Sequence, residues 1–337
     1  MTPNKITIGI SCGDLNGVGI EILIKIFKDK TLLKNCTPVL YCPIKAFQYY
    51  KKNLDFNNFK FAEINKIENK IPGLLNIIPI INHDINISPG RVDKLLGKVA
   101  LESIDMVIRD ISNGNVDVFV TLPINKKTVS EYSQRFQGHT EYITQKLNHN
   151  NKSLMFLCSE KLKIATITNH LKLSKVSKSI SNKILKQKTE IVIKSLINDF
   201  SIKKPKVAVL ALNPHAGDSG LIGDEEIDIL SPFINNYNHE FGVLVGPFSS
   251  DAFFGSKNYK NFDAIIGMYH DQSLIPFKLL SFGTGVNYTA GLKTVRVSPD
   301  HGVAYNIAGK SIADKSSLET AIKMGIKIFL NRQKIKI

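Results

Sequence analysis

The sequence predicts an α/β protein built as two lobes, and three observations carry that expectation. Short β-branched runs alternate with amphipathic stretches, the pattern of a mainly parallel sheet covered by helices on both faces. At 337 residues the chain is long for a single hydrophobic core. Several apolar runs also end in clusters of polar residues, and ligands of such folds collect at the carboxyl ends of strands.

The elements follow in order. Residues 5–11 (KITIGIS) read as a first strand, leading through Gly13, Gly17 and Gly19 into a helical pattern over 20–27. That glycine spacing is neither GxGxxG nor a P-loop, so a structural tight turn is at least as good a reading as a phosphate cradle. Residues 37–42, 59–63 and 74–81 read as further strands. Residues 91–113 form the clearest helix of the first half, with Val92, Leu95, Leu96, Val99, Ile104, Val107, Ile108 and Ile111 on one stripe and Gly114 as its stop. A buried strand follows at 117–121, and a helix begins near Thr140, a candidate N-cap. Residues 153–158 and 161–168 suggest a strand pair, then a long helix over 174–197. Strands at 206–212, near Gly246 and at 262–268 come next, and a last helix spans 316–330. The lobes are expected at 1–122 plus 300–337 and at 123–299, the second carrying the metal and substrate residues.

The formal charge of +15 comes from lysines spread along the chain rather than from a basic block with interleaved aromatics, which argues against a nucleic-acid surface. Cys12, Cys36, Cys42 and Cys158 form no CxxC pair, no apolar run approaches a membrane span, and the start has no signal-peptide pattern. A soluble cytoplasmic protein is the expectation.

Candidate chemistry gathers at three strand ends. The runs 164–168, 207–212 and 264–268 lead to His170, His215 and His270. Neighbouring strand ends of a parallel sheet share one rim, and three neutral imidazoles with an open position are the inventory of a catalytic divalent-metal site. Three independent core or capping histidines remain the alternative. Lys278, Asn287 and Arg296 follow within thirty residues and suit an anionic substrate. Asp251 and Asp271 are placed to orient an imidazole or take a proton. His139 has no evident structural duty, while His83, His149 and His239 sit in polar, Asn-rich stretches and read as solvated.

Taken in order, GDLNGVGIE (13–21), QGHTE (137–141), TNHLKLS (168–174), LNPHAGDSGLIGDEEID (212–228), GPFSSDAFF (246–254), MYHDQSLIPFK (268–278) and FGTGVNYTAGLKTVRVSPDHG (282–302) resemble the 4-hydroxythreonine-4-phosphate dehydrogenase family of pyridoxal phosphate biosynthesis. The resemblance implies two α/β/α lobes around a cleft, similar to the isocitrate and isopropylmalate dehydrogenases. It also implies a homodimer whose subunits both line the active site. NAD or NADP and one divalent ion (Zn, Mg or Co) are the implied cofactors, and a small phosphorylated hydroxy amino acid is the substrate. By position, the metal ligands are His170, His215 and His270. The substrate contacts are His139, Thr140, Lys278, Asn287 and Arg296, and the catalytic candidates are His215, His270, Lys278 and Asp251. Leu15 and Ile20 stand where the family has prolines, and Ser273 and Pro276-Phe277 also depart from its pattern. A related subfamily acting on 4-phosphorylated threonate or erythronate is one alternative, and a metal-dependent hydrolase a more distant one.

Overall fold

Strand β1 (Ile6–Ser11) is buried along its whole length, as a run flanked by a parallel neighbour on each side must be. After it come α1 (Gly19–Lys28), β2 (Cys36–Tyr41), α2 (Ile44–Asn53), β3 (Phe61–Glu63), β4 (Leu75–Ile78), α3 (Lys94–Ser112), β5 (Val118–Thr121), α4 (Lys126–Ser130) and α5 (His139–Leu147). The chain continues through β6 (Leu154–Cys158), β7 (Lys163–Thr168), α6 (Val176–Ser179), α7 (Asn182–Asn198), β8 (Val207–Leu210), α8 (Ser231–Glu240), β9 (Leu244–Phe248), α9 (Ser250–Gly255), β10 (Ala264–Tyr269), α10 (His270–Ser281) and β11 (Val286–Ala290). It closes with β12 (Val295–Pro299) and α11 (Ser316–Ile335). The computed structural model describes residues 5–80, 84–133, 136, 138–147 and 153–335; His83 and His149 lie outside them.

Two compact units result, Met1–Lys152 with Leu292–Leu330, and Ser153–Gly291 with Asn331–Ile337. The boundaries expected from sequence, at 122/123 and 299/300, need correction. β12 pairs in parallel with β5, which carries Arg296 into the first unit, and α4 packs on α3. His139, Thr140 and Arg296 therefore belong to the first unit, and Lys278, Asn287 and the three strand-end histidines to the second.

In the first unit the strands run β3-β4-β2-β1-β5-β12, all parallel. Its core packs α3 onto the sheet through Ala100, Ile104, Val107 and Phe119. Asp93 caps α3 by accepting from the Leu95 N–H at 2.8 Å, so the helix starts after Val92, which is exposed instead of joining the stripe. In the second unit the order is β11-β6-β7-β10-β8-β9, antiparallel for β11-β6-β7 and parallel beyond. Its own core gathers Leu157, Ile164, Leu210, Phe253, Ile265 and Phe277. The single helix expected over 174–197 is two, because Ile180 and Ser181 are extended between α6 and α7.

A buried polar knot closes the second unit. Asp199 accepts from Ser195 Oγ, Tyr288 Oη and Arg332 Nε, each at 2.6 Å, and Asn331 Nδ2 donates to the Asp199 carbonyl at 2.7 Å. All four cysteines are free and buried. Among the described residues no helix is long and apolar enough to cross a membrane.

Candidate active site

The rim of the second unit is laced by side chains before any histidine is considered. Parallel pairing of β7 and β8 with β10 brings three carboxyl ends to one edge. There Thr168 Oγ1 donates to the Met268 carbonyl at 2.7 Å, tying β7 to β10. Gln272, buried in the first turn of α10, does the rest. Its Oε1 accepts from the Met268 N–H at 2.6 Å, and its Nε2 donates to the Ala211 carbonyl at 2.6 Å and to Ser250 Oγ at 2.8 Å. One amide thus joins the ends of β8 and β10 to the start of α9.

His170, His215 and His270 stand on these three ends. The His170 and His270 rings face each other, with centroids 5.7 Å apart. His270 Nδ1 lies 2.7 Å from Asp271 Oδ1, which places the ring proton on Nδ1 and leaves Nε2 with a free lone pair. His215 lies in a turn where residues 215–219 all have positive φ. Among the described residues, no group of three His, Cys, Asp or Glu side chains is arranged to hold a metal ion. The three strand ends lie on one edge of the sheet, with the His170 and His270 rings near each other there. His170 and His215 are exposed, so rotation about their side-chain bonds meets little packing.

The left-handed turn under His215 has identifiable supports. The buried Glu226 accepts from the N–H groups of Leu212 and Asn213 at 2.7 and 2.9 Å and from Asn213 Nδ2 at 2.9 Å. Positive φ costs an ordinary residue about 1–2 kcal/mol, so a run of them persists only where contacts over-determine it. Asp251, at the start of α9, accepts from Ser249 Oγ at 2.5 Å. That hydrogen bond first, with smaller help from the charge of His215, holds its carboxyl below the usual aspartate value.

The first unit carries a separate cationic pocket. Arg296 is mid-strand in β12 and 1% exposed. Its Nη2 donates to Thr121 Oγ1 at 2.5 Å and its Nη1 to Thr140 Oγ1 at 3.4 Å. Burial pulls its pKa down to about 10, which still leaves it charged at neutral pH. His139 opens α5, so Thr140 lies inside the helix and faces Arg296 rather than capping. The Nε2 of His139 is closed off from solvent and makes no hydrogen bond. Burial, then the charges of Arg296 and Lys126, hold this imidazole well below its ordinary pKa. In the second unit Lys278 is half-buried on α10, and Asn287 on β11 has a buried Oδ1 with no hydrogen-bond partner.

The glycine loop after β1 resolves as a structural corner. The N–H groups of Asn16, Gly17 and Val18 are spent on Asp14 Oδ1, the Asp14 carbonyl and the Val303 carbonyl. A Cβ on Gly17 would meet Val303 Cγ1 at 2.3 Å, so only glycine admits that contact. Leu15 and Ile20, at the positions of the family's prolines, are fully buried. Sequence reasoning took Glu226 only as an acid at a helix start, gave no role to Thr121 or Lys126, and did not single out Gln272. The one available signal was a polar residue directly after an apolar strand or within a helix start, and that signal is common on surfaces.

Comparison with known proteins identifies the family. The family model described as pyridoxal phosphate biosynthetic protein PdxA matches residues 34–325. A 4-hydroxythreonine-4-phosphate dehydrogenase of Bacteroides thetaiotaomicron is 42% identical over 336 residues, covering 100% of this chain and 92% of the relative. A protein of Oceanobacillus iheyensis, provisionally named a D-threonate 4-phosphate dehydrogenase, is 33% identical, covering 96% of this chain and 98% of its own. The crystal structure of 4-hydroxythreonine-4-phosphate dehydrogenase from Klebsiella pneumoniae superposes with a TM-score of 0.80 at 29% identity, covering 97% of this chain and 100% of that one. With a family model across most of its length and a relative this similar along all of it, the chain belongs to the PdxA family of pyridoxal phosphate biosynthetic proteins.

Proposed function

We propose that the chain oxidises the C3 hydroxyl of 4-(phosphooxy)-L-threonine using NAD or NADP and one divalent ion (Zn, Mg or Co). The product, 2-amino-3-oxo-4-(phosphooxy)butanoate, then loses CO2 to leave 3-amino-2-oxopropyl phosphate. The observation that carries this reading is the row of parallel strand ends tipped by His170, His215 and His270 and cross-tied by Gln272, in a chain of this family.

Neutral imidazole nitrogens suit a divalent ion, and the hydrogen bond from His270 to Asp271 fits that use. When bound, such an ion supplies positive charge that acidifies a hydroxyl and stabilises an enolate, and the nicotinamide takes the hydride. The chain's own groups do the rest. Asp251 is ionised beside His215 and can accept a proton, while the Lys278 ammonium can donate one. His139, Thr140, Lys278, Asn287 and Arg296 offer donors and charge for the substrate's phosphate and carboxylate.

A homodimer with sites lined by both subunits is part of the same proposal. Ile275, Leu279 and Phe282 repeat at helical spacing along and just past α10 and are 58%, 80% and 87% exposed. A second copy covering that stripe would lie on the helix that carries His270 and Lys278. Four free, buried cysteines fit a reducing cytoplasm.

The Oceanobacillus relative favours a second reading, in which 4-phosphorylated threonate or erythronate replaces the amino acid. One assay separates these. Formation of reduced nicotinamide is followed with each phosphorylated substrate, before and after chelation and with each metal restored. Turnover of 4-(phosphooxy)-L-threonine that stops on chelation supports the proposal. Metal-stimulated phosphate release without reduced nicotinamide would replace it with a hydrolase.

A further inference from the structure

The pocket around Arg296 has one more cation than the family resemblance assigns. Lys126 is the first residue of α4, and its Nζ lies 3.7 Å from the point a Cβ on Gly138 would occupy, beside His139. Its charge and that of Arg296 both reach the His139 ring. Glu141, in the first turn of α5, is the opposing charge. Its Oε2 lies 2.7 Å from the same Gly138 point and it acts on Arg296. With His139 neutral, Glu141 cancels one cation, and the other leaves the pocket net positive. Remove Lys126 and the pocket has no net charge to offer a phosphate dianion.

The side chain is exposed, but the backbone that carries it is fixed. Asn125 accepts from the Lys127 N–H at 3.0 Å, and its Nδ2 donates to Tyr305 Oη at 3.0 Å. A Cβ on Gly97 of α3 would fall 2.4 Å from the Thr128 carbonyl carbon, so α4 sits directly on α3 backbone with no room to shift. Lys126 is thus a flexible charge on a rigid base, which limits the entropy lost when it engages an anion.

We propose that Lys126 is a further substrate-binding residue, engaging the substrate's phosphoryl group and supplying the pocket's net positive charge. This rests on the substrate reading above. The test compares Lys126→Met, Lys126→Arg and Lys127→Met with Arg296→Ala in the intact enzyme. It measures kcat, substrate KM and competitive inhibition by inorganic phosphate. Lys126→Met should raise both KM and the phosphate inhibition constant by about 10- to 100-fold with kcat nearly unchanged. Lys126→Arg should recover most of that loss, and Lys127→Met should behave as wild type. The His139 titration followed by NMR should move upward in Lys126→Met, showing that the Lys126 charge reaches the pocket. Unchanged KM and phosphate inhibition in Lys126→Met would overturn the assignment. A rise in both for Arg296→Ala would then confine the failure to Lys126, and no rise would remove the whole pocket.

Discussion

His139 makes its environment measurable through pH. Its folded-state pKa is depressed below 6.5, by burial first and then by Arg296 and Lys126. An unfolded histidine takes up a proton near 6.5 and the folded one does not, so this group's contribution is complete above that pH and is lost as pH falls below it. Between pH 7.5 and 5.5 the loss should be about 1 kcal/mol. The window lies above the carboxylates with lowered values, Asp314 and Glu319, whose losses come only in more acidic solution. Urea unfolding at both pH values should give a flatter pH dependence for His139→Asn than for wild type; equal slopes would place the proton elsewhere. Arg296 should report on substrate alone. Arg296→Ala should lower kcat/KM by roughly 30- to 1,000-fold, from about 2–4 kcal/mol of charge-assisted hydrogen bonding, and Arg296→Lys should fall between it and wild type. Weakened nicotinamide binding with unchanged substrate KM would put the arginine on the cofactor's side. The sequence could name both residues because their types are unusual beside apolar runs. It could not see that Arg296 is mid-strand, because that depends on β12 pairing with β5.

The turn that carries His215 depends on Gly217, whose φ is +80°. A Cβ there would lie 2.5 Å from the Gly223 carbonyl oxygen and 2.8 Å from Glu226 Oε2. Gly217→Ala should therefore displace the turn, reduce metal retention measured by equilibrium dialysis, and leave the first unit's melting behaviour in place. Gln272→Leu attacks the same rim differently. It strands the Met268 N–H and the Ala211 carbonyl, and each unsatisfied buried group costs about 1–3 kcal/mol. Calorimetry should register several degrees of destabilisation, and a variant as stable as wild type would mean water replaces the amide. Periodicity made strands such as β1, β8 and β10 and the helix α3 legible, because one buried face is written locally. The break between α6 and α7 was hinted at only by Ser177, Ser179, Ser181 and Asn182, residues that favour caps over helix interiors. The antiparallel β11-β6-β7 pairing depends on partners far apart in the chain and left no local mark.

At the scale of the molecule, the proposed homodimer is tested on the exposed apolar stripe of α10. Phe282→Glu and Leu279→Glu should shift sedimentation from dimer to monomer while circular dichroism stays constant; a dimer that survives both would move the interface elsewhere. Alternating strands and helices announced an α/β fold, but not which lobe each late segment joins. That question bears on how the protein is made. The carboxylate of Asp199 is buried in the second unit, yet Arg332, which meets it, is synthesised after β12 and nearly all of α11. Until then the nascent second unit can form its sheet but holds the Asp199 carboxylate with the hydroxyls of Ser195 and Tyr288 and without its cation, and a buried charge deprived of its ion-pair partner costs about 3–5 kcal/mol. Its final locking waits for the last turns of α11, which bring Arg332 to Asp199.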